Sequence, residues 1–167
     1  MPDADTVLMR LALEEAEAAL ALGIMPVGAV LAHRGTAIGR AHKTMTSNHL
    51  DHAEMNLMRA TFQGDHGLPR PELTLYTTLE PCLMCYATMR HLSIGRLVYA
   101  LEDPYGGAAH LDDAALPERH RSRPLAVTGG VLREEVRQLL RRFLSITDEP
   151  FWRAGGAWAL QNAILNE

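Results

Sequence analysis

The chain divides into segments whose apolar positions recur with a helical period or alternate like strands, and the two kinds succeed each other. Residues 5–22 place Val7, Leu8, Leu11, Ala12, Ala18 and Leu22 near a 3.6 period, with Glu14, Glu15 and Glu17 for the wet side. Gly23 is a natural stop for that helix. Pro26 opens the apolar run PVGAVLA, His33 to Thr36 reads as a turn, and AIGRAH follows, which predicts a hairpin. After the polar stretch 43–51, a helix is predicted from His52 to about Thr61, with Met55, Leu57 and Met58 inward. Gly64 to Pro71 reads as a loop. Leu73 to Thr78 alternates like a strand, and Pro81 suits the first turn of a helix ending near His91. Leu97 to Leu101 and Leu125 to Thr128 are further strands. The connection 103–124 between them is long enough to be functional or to hold short helical pieces. Glu134 to Leu144 is predicted helical, with Val136, Leu139, Leu140 and Phe143 inward, and Phe151 to Glu167 ends in a short helix.

Strands alternating with helices predict an α/β fold with a sheet between helix layers, and the opening hairpin makes that sheet mixed. A length of 167 residues suits one domain, expected over 1–150, with 151–167 as a tail packed on the domain or on a partner. Apolar residues at 47% and charged residues at 22% are ordinary globular values and argue against a disordered chain. The formal charge of −4 argues against a generic polyanion-coating protein. No apolar run approaches the roughly 18 residues of a membrane span, and no basic start precedes an apolar stretch, so a cytoplasmic protein without a membrane partner is expected.

Cys82 and Cys85 are the two cysteines, so a multi-disulfide scaffold is excluded and a metal or redox pair is favoured. Three apart on a helix, they share a face and can reach one ion. His52, at the start of another helix, adds a nitrogen, which makes three ligands and an open position, the pattern of a catalytic zinc site. Glu54 lies two residues beyond His52, so it points elsewhere and is placed for proton transfer rather than ligation. His49 with His52 is a weaker metal pair. His33, His66, His91, His110 and His120 read as surface or packing residues. Arg133, Arg137 and Arg141, with Arg142, form a stripe on the outer face of the last long helix. That stripe and the Arg119–Arg123 cluster read as solvated charge first and as phosphate contacts second. Trp152 and Trp158 read as packing or subunit contacts first and as base-stacking platforms second.

His52-Ala53-Glu54 followed by Pro81-Cys82-Leu83-Met84-Cys85 resembles the zinc-dependent cytidine/deoxycytidylate deaminase superfamily. MPVGAVLA, TLYTTLEPCLMC and IGRLVYALEDPYGGA are similar, in the same order, to the bacterial tRNA adenosine deaminase branch. The likeness spans about residues 7–110. It implies a cytidine-deaminase-like three-layer α/β/α sandwich and one zinc per chain on His52, Cys82 and Cys85. It also implies Glu54 as the catalytic proton shuttle and hydrolytic loss of an exocyclic amine as ammonia. Adenosine in tRNA, becoming inosine, is the leading substrate. A free base or nucleoside of guanine, cytosine or adenine type is the alternative. Val27, Lys43 and Asp103 fall at substrate-side positions of the resembled pattern, Lys43 standing about where the branch carries Asn. The branch's DPTA before HAE is here Asn48-His49-Leu50-Asp51. Members of the family form dimers, so a homodimer is expected, with Tyr86 and Met89 extending the contact. A non-catalytic zinc-binding subunit and a thiol redox protein are the readings from other classes.

Overall fold

The computed structural model describes residues 3–45, 49–64 and 67–166. His66 and Asn48 therefore lie outside the described residues. Helix α1 spans Ala4–Ala21, capped by Asp3, whose Oδ1 accepts from the Thr6 amide at 2.8 Å. Strands β1 (Gly28–His33) and β2 (Thr36–His42) make the predicted hairpin, followed by α2 (Ala53–Thr61). Then come β3 (Leu73–Leu79), α3 (Leu83–Leu92) and β4 (Arg96–Leu101). One-turn α4 (Glu118–Arg121) precedes β5 (Ala126–Thr128), α5 (Arg133–Ile146), one-turn α6 (Pro150–Arg153) and α7 (Trp158–Leu165).

The sheet runs β2-β1-β3-β4-β5. β1 is antiparallel to both β2 and β3, whereas β3, β4 and β5 run parallel, so the sheet is mixed as predicted. α1 touches α5 and α2 touches α3, with the sheet between the pairs, which gives the three-layer α/β/α sandwich. The central strands are apolar on both faces, with Ala29, Val30, Leu31, Leu75, Leu97 and Val98 fully buried, as a sheet covered by helices on both sides requires. No helix among the described residues is long and apolar enough to cross a membrane.

The inner face of α1 differs from the periodicity reading. Leu8 and Ala12 are buried, but so are Met9, Ala16 and Ala19, while Val7 and Leu22 are exposed. The sheet selects small residues here because α1 lies against the backbone of β1. A Cβ on Gly28 would stand 2.0 Å from the Ala12 carbonyl oxygen. Bulk on that face would lift the helix off the sheet.

The helix carrying the cysteines also starts later than predicted. Pro81 is outside α3 and Cys82 is its N-cap, in extended conformation. The Pro81 carbonyl accepts from Ala108, and Cys82 bridges Gly107, so both residues are held by the loop after β4. That loop, part of the 103–124 connection, carries a 3₁₀ turn at Asp113–Ala115 and α4. Buried Arg90 of α3 fastens it, donating to the His120 carbonyl at 2.7 Å and pairing with Asp113 at 3.2 Å.

The arginine stripe pairs with Glu134 as a charged helix face would, but it is corrected at Arg137, which is not on an outer face. Arg137 is buried and bonded to Glu134 at 2.9 Å, and Arg141 donates to the Ile164 carbonyl at 2.7 Å. Arg133 pairs with Glu102. These side chains serve the protomer, because α5 is covered by α7 and flanked by the end of β4. Tyr86 and Met89 are likewise inside the core, at 2% and 0% exposure, and offer no outer surface to a partner.

Candidate active site

Two helix beginnings meet at the C-terminal end of β3. His52 is the N-cap of α2 and Cys82 the N-cap of α3, with Cys85 one turn further on. His52 Nδ1 lies 3.5 Å from Cys82 Sγ and 3.6 Å from Cys85 Sγ, and the sulfurs are 3.7 Å apart. Tetrahedral zinc with bonds of about 2.3 Å to sulfur and about 2.05 Å to nitrogen sets ligand separations of about 3.8 and about 3.5 Å. The triangle therefore has the dimensions of a zinc site with one position left over. Among the described residues, these three form the metal-sized group of His, Cys and carboxylate side chains, and His49 is not a member of it.

The donor chemistry fits as well. The hydrogen bond from Cys85, with support from His52, holds Cys82 well below the usual thiol range. The same bond with Cys82, then burial, pushes Cys85 far up. Thiolates are the form that a metal takes, so a cation at the centre would release the thiol protons. His52 is pushed up mainly by its hydrogen bond with Cys82.

Glu54, in the first turn of α2, is 3% exposed and stands next to the triangle, its Oε2 3.5 Å from Cys85 Sγ. Its Oε1 accepts from Thr77 Oγ1 of β3 at 2.8 Å. Burial pushes its carboxyl above the ordinary range, against the opposing pull of Thr77. Thr77 was not singled out by the sequence reading. Its signal was a hydroxyl in a strand expected to be buried, where a polar group needs a partner.

His52, Cys82 and Glu54 open into a cavity of about 300 Å³. Val27, Lys43 and Asp103 all line it, together with Leu79, Glu80, Tyr105 and Gly106. Lys43 follows β2 and is tied by its amide to the Val27 carbonyl at 2.9 Å. Asp103 Oδ1 accepts from the amides of Tyr105 and Gly106 at 2.9 and 3.0 Å, an Asx turn that shapes the rim. Burial pushes the Asp103 carboxyl up. Buried Glu80 orders the same loop, accepting from Asp103 N and Ala109 N at 3.0 Å each and lying 3.2 Å from His110 Nδ1. The sequence reading did not foresee the fourth wall. Phe151, Trp152, Ala157 and Leu160 come from the C-terminal segment, so Trp152 faces the cavity while Trp158 is 72% exposed.

Comparison with known proteins meets this geometry. The cytidine and deoxycytidylate deaminase zinc-binding region matches residues 2–101. The tRNA-specific adenosine deaminase of Haemophilus influenzae is 37% identical over 142 residues, covering 83% of this chain and 82% of its own. A solved tRNA A34 deaminase, which performs A-to-I editing at the wobble position, is 35% identical with a TM-score of 0.65, over 75% of this chain and 98% of that one. The guanine deaminase of Nitrosomonas europaea is 26% identical with a TM-score of 0.63, over 83% of each chain. With the family match spanning more than half the chain and set upon this sandwich, the protein belongs to the cytidine and deoxycytidylate deaminase family and is a zinc-dependent hydrolytic deaminase.

Proposed function

We propose that this chain binds one zinc through His52, Cys82 and Cys85 and deaminates adenosine in tRNA to inosine. The observation that carries the chemistry is the near-equilateral ligand triangle beside the buried Glu54 carboxylate, with His52, Cys82 and Glu54 opening into one base-sized cavity. Zinc bound there supplies a Lewis acid and makes a water nucleophilic near neutral pH. Glu54 accepts a proton as the water oxygen adds to the amine-bearing ring carbon. It delivers that proton to the adjacent ring nitrogen, then takes the proton of the added hydroxyl and passes it to the departing amine, which leaves as ammonia while the carbon keeps the oxygen as a carbonyl. Thr77 holds Glu54 Oε1, which leaves Oε2 for this work. Val27 and Leu79 supply apolar walls to a planar ring.

Lys43 is the pocket's ammonium donor. Lysine donates and cannot accept, unlike Asn, so it favours a ring nitrogen or carbonyl at that edge of the base. Asp103 supplies an acceptor on the facing loop. Lys43→Asn shifts kcat/KM between substrates if this holds. Unchanged ratios place Lys43 away from the base.

The tRNA reading is supported by relatives of that name at 30–40% identity. A free purine base is the second reading, favoured by the C-terminal wall on the cavity and by the guanine deaminase likeness. Ammonia release from an anticodon stem-loop RNA, free bases and nucleosides decides between them. Turnover of a free base without turnover of the RNA overturns the first. A cytoplasmic homodimer completes the proposal, with exposed Leu83, Tyr105 and Trp158 as apolar surface in place of Tyr86 and Met89. Sedimentation of a monomer at micromolar concentration refutes the dimer.

A further inference from the structure

The C-terminal segment is built to present two aromatic rings to the cavity. The Trp152 carbonyl accepts from Gln161 Nε2 at 3.0 Å and from the Gly155 amide at 3.1 Å. The Phe151 carbonyl accepts from the Gly156 amide at 2.8 Å, and a Cβ on Gly156 would stand 2.6 Å from the Phe151 ring. Gly156 is glycine because the turn and the ring occupy the same space. Behind the rings, Phe143 of α5 meets Trp152 edge-to-face at 5.7 Å, and Phe151 meets it at 5.2 Å. Arg153 fastens α6 through the Thr147 carbonyl at 3.0 Å and Asp148 at 2.7 Å. Leu160 and Ile164 anchor α7 in the main core, at 2% and 1% exposure. Simple packing does not require Phe151, which is half exposed and lies on the cavity.

We propose that Phe151 and Trp152 are substrate-positioning residues, an aromatic wall against which the target base is held while Glu54 moves the protons. The inference rests on the reading of the cavity as a nucleobase site. The wall suits a planar heterocycle, because a base presents a π-face whatever its substituents, and aromatic contact is strong and tolerant of base identity. At about 300 Å³ the cavity sits at the small end of ligand pockets, so one base enters and anything attached to it lies outside. Selection among bases then falls to Lys43 and Asp103, while Phe151 and Trp152 set affinity.

The chain has two tryptophans, and Trp158 is outside the cavity, so Trp158→Phe leaves Trp152 as a reporter. Zinc-loaded W158F carrying Glu54→Gln is titrated with adenine, adenosine, guanine, cytosine and an anticodon stem-loop RNA. The expected result is a saturable change in Trp152 emission with the compound that the wild-type protein deaminates. Phe151→Ala, at a half-exposed position, raises KM for that compound by roughly 5- to 100-fold with kcat little changed, the range expected for one lost base–aromatic contact. Trp152→Ala does the same and Trp152→Phe recovers most of it. Silence of Trp152 toward every compound, or a fall in melting temperature with KM unchanged in all three variants, overturns the wall. An emission change with no deamination of any compound leaves the wall standing and overturns the deaminase reading instead.

Discussion

Glu54→Gln separates proton transfer from every other property of the site. The change is isosteric, and the amide oxygen can keep the 2.8 Å hydrogen bond from Thr77 Oγ1. Glu54 is not one of the three triangle atoms, so zinc content stays at the wild-type level. Burial disfavours the carboxylate, whose value is raised in the fold. A carboxyl raised above its unfolded value costs stability once pH exceeds the unfolded value near 4.3. Removing it leaves the metal-free protein at least as stable at pH 7. Turnover falls because a general acid–base contributes roughly 10²–10⁴-fold, equivalent to about 3–5 kcal/mol of barrier at 1.36 kcal/mol per tenfold. Ammonia release under saturating substrate gives kcat, elemental analysis gives zinc, and a thermal melt gives stability. Wild-type kcat in a zinc-loaded E54Q refutes the proton role. Loss of zinc in that variant refutes the separation of shuttle from ligands.

Cys82→Ala removes a corner of the triangle, and zinc affinity falls by more than the roughly 10–100-fold that an outer partner is worth, read by metal analysis after dialysis. Full occupancy in that variant excludes Cys82 as a ligand. Gly28→Ala forces a Cβ to 2.0 Å from the Ala12 carbonyl oxygen, and overpacking of this kind costs about 1–3 kcal/mol or more, a drop of roughly 2–12 °C in melting temperature. An unchanged melt means α1 does not lie on β1 as described. Asp5 accepts from both Arg96 Nη atoms at 2.7 Å and from Tyr76 at 2.8 Å, and the Arg96 bonds hold its carboxyl below the usual range. Its contribution is therefore present above the unfolded value near 3.9 and lost as pH falls through the lower folded value. Asp5→Asn costs about 1–2 kcal/mol in neutral urea melts, allowing for solvent at Arg96, and the gap to wild type closes below pH 4. A gap that persists in acid assigns the loss to packing.

Much of the molecule is written in local pattern. Strand alternation, the hairpin turn at Arg34-Gly35 and the helical repeat of α5 depend on neighbours a few residues away, so single-chain periodicity places the five strands and the helices α1, α2, α3 and α5 within about two residues. The group of residues that fits zinc was legible for a different reason. Few residue types hold zinc, and His52, Cys82 and Cys85 are spaced as two helix starts demand. What escaped depends on which surfaces meet. The buried face of α1 follows the closeness of β1 rather than hydrophobicity, so Ala16 and Ala19 turn inward and Val7 outward. Cys82 caps α3 because Gly107 and Ala108, from beyond β4, hold Pro81 and Cys82 extended. Arg137 is buried because α5 is covered and Glu134 neutralises it, which a charged stripe in sequence cannot reveal. Trp152 reaches the cavity because Leu160 and Ile164 bury α7 in the main core, against α5. Local energetics select elements, whereas the partners of a side chain are set by long-range packing, and the walls of this site are made by packing.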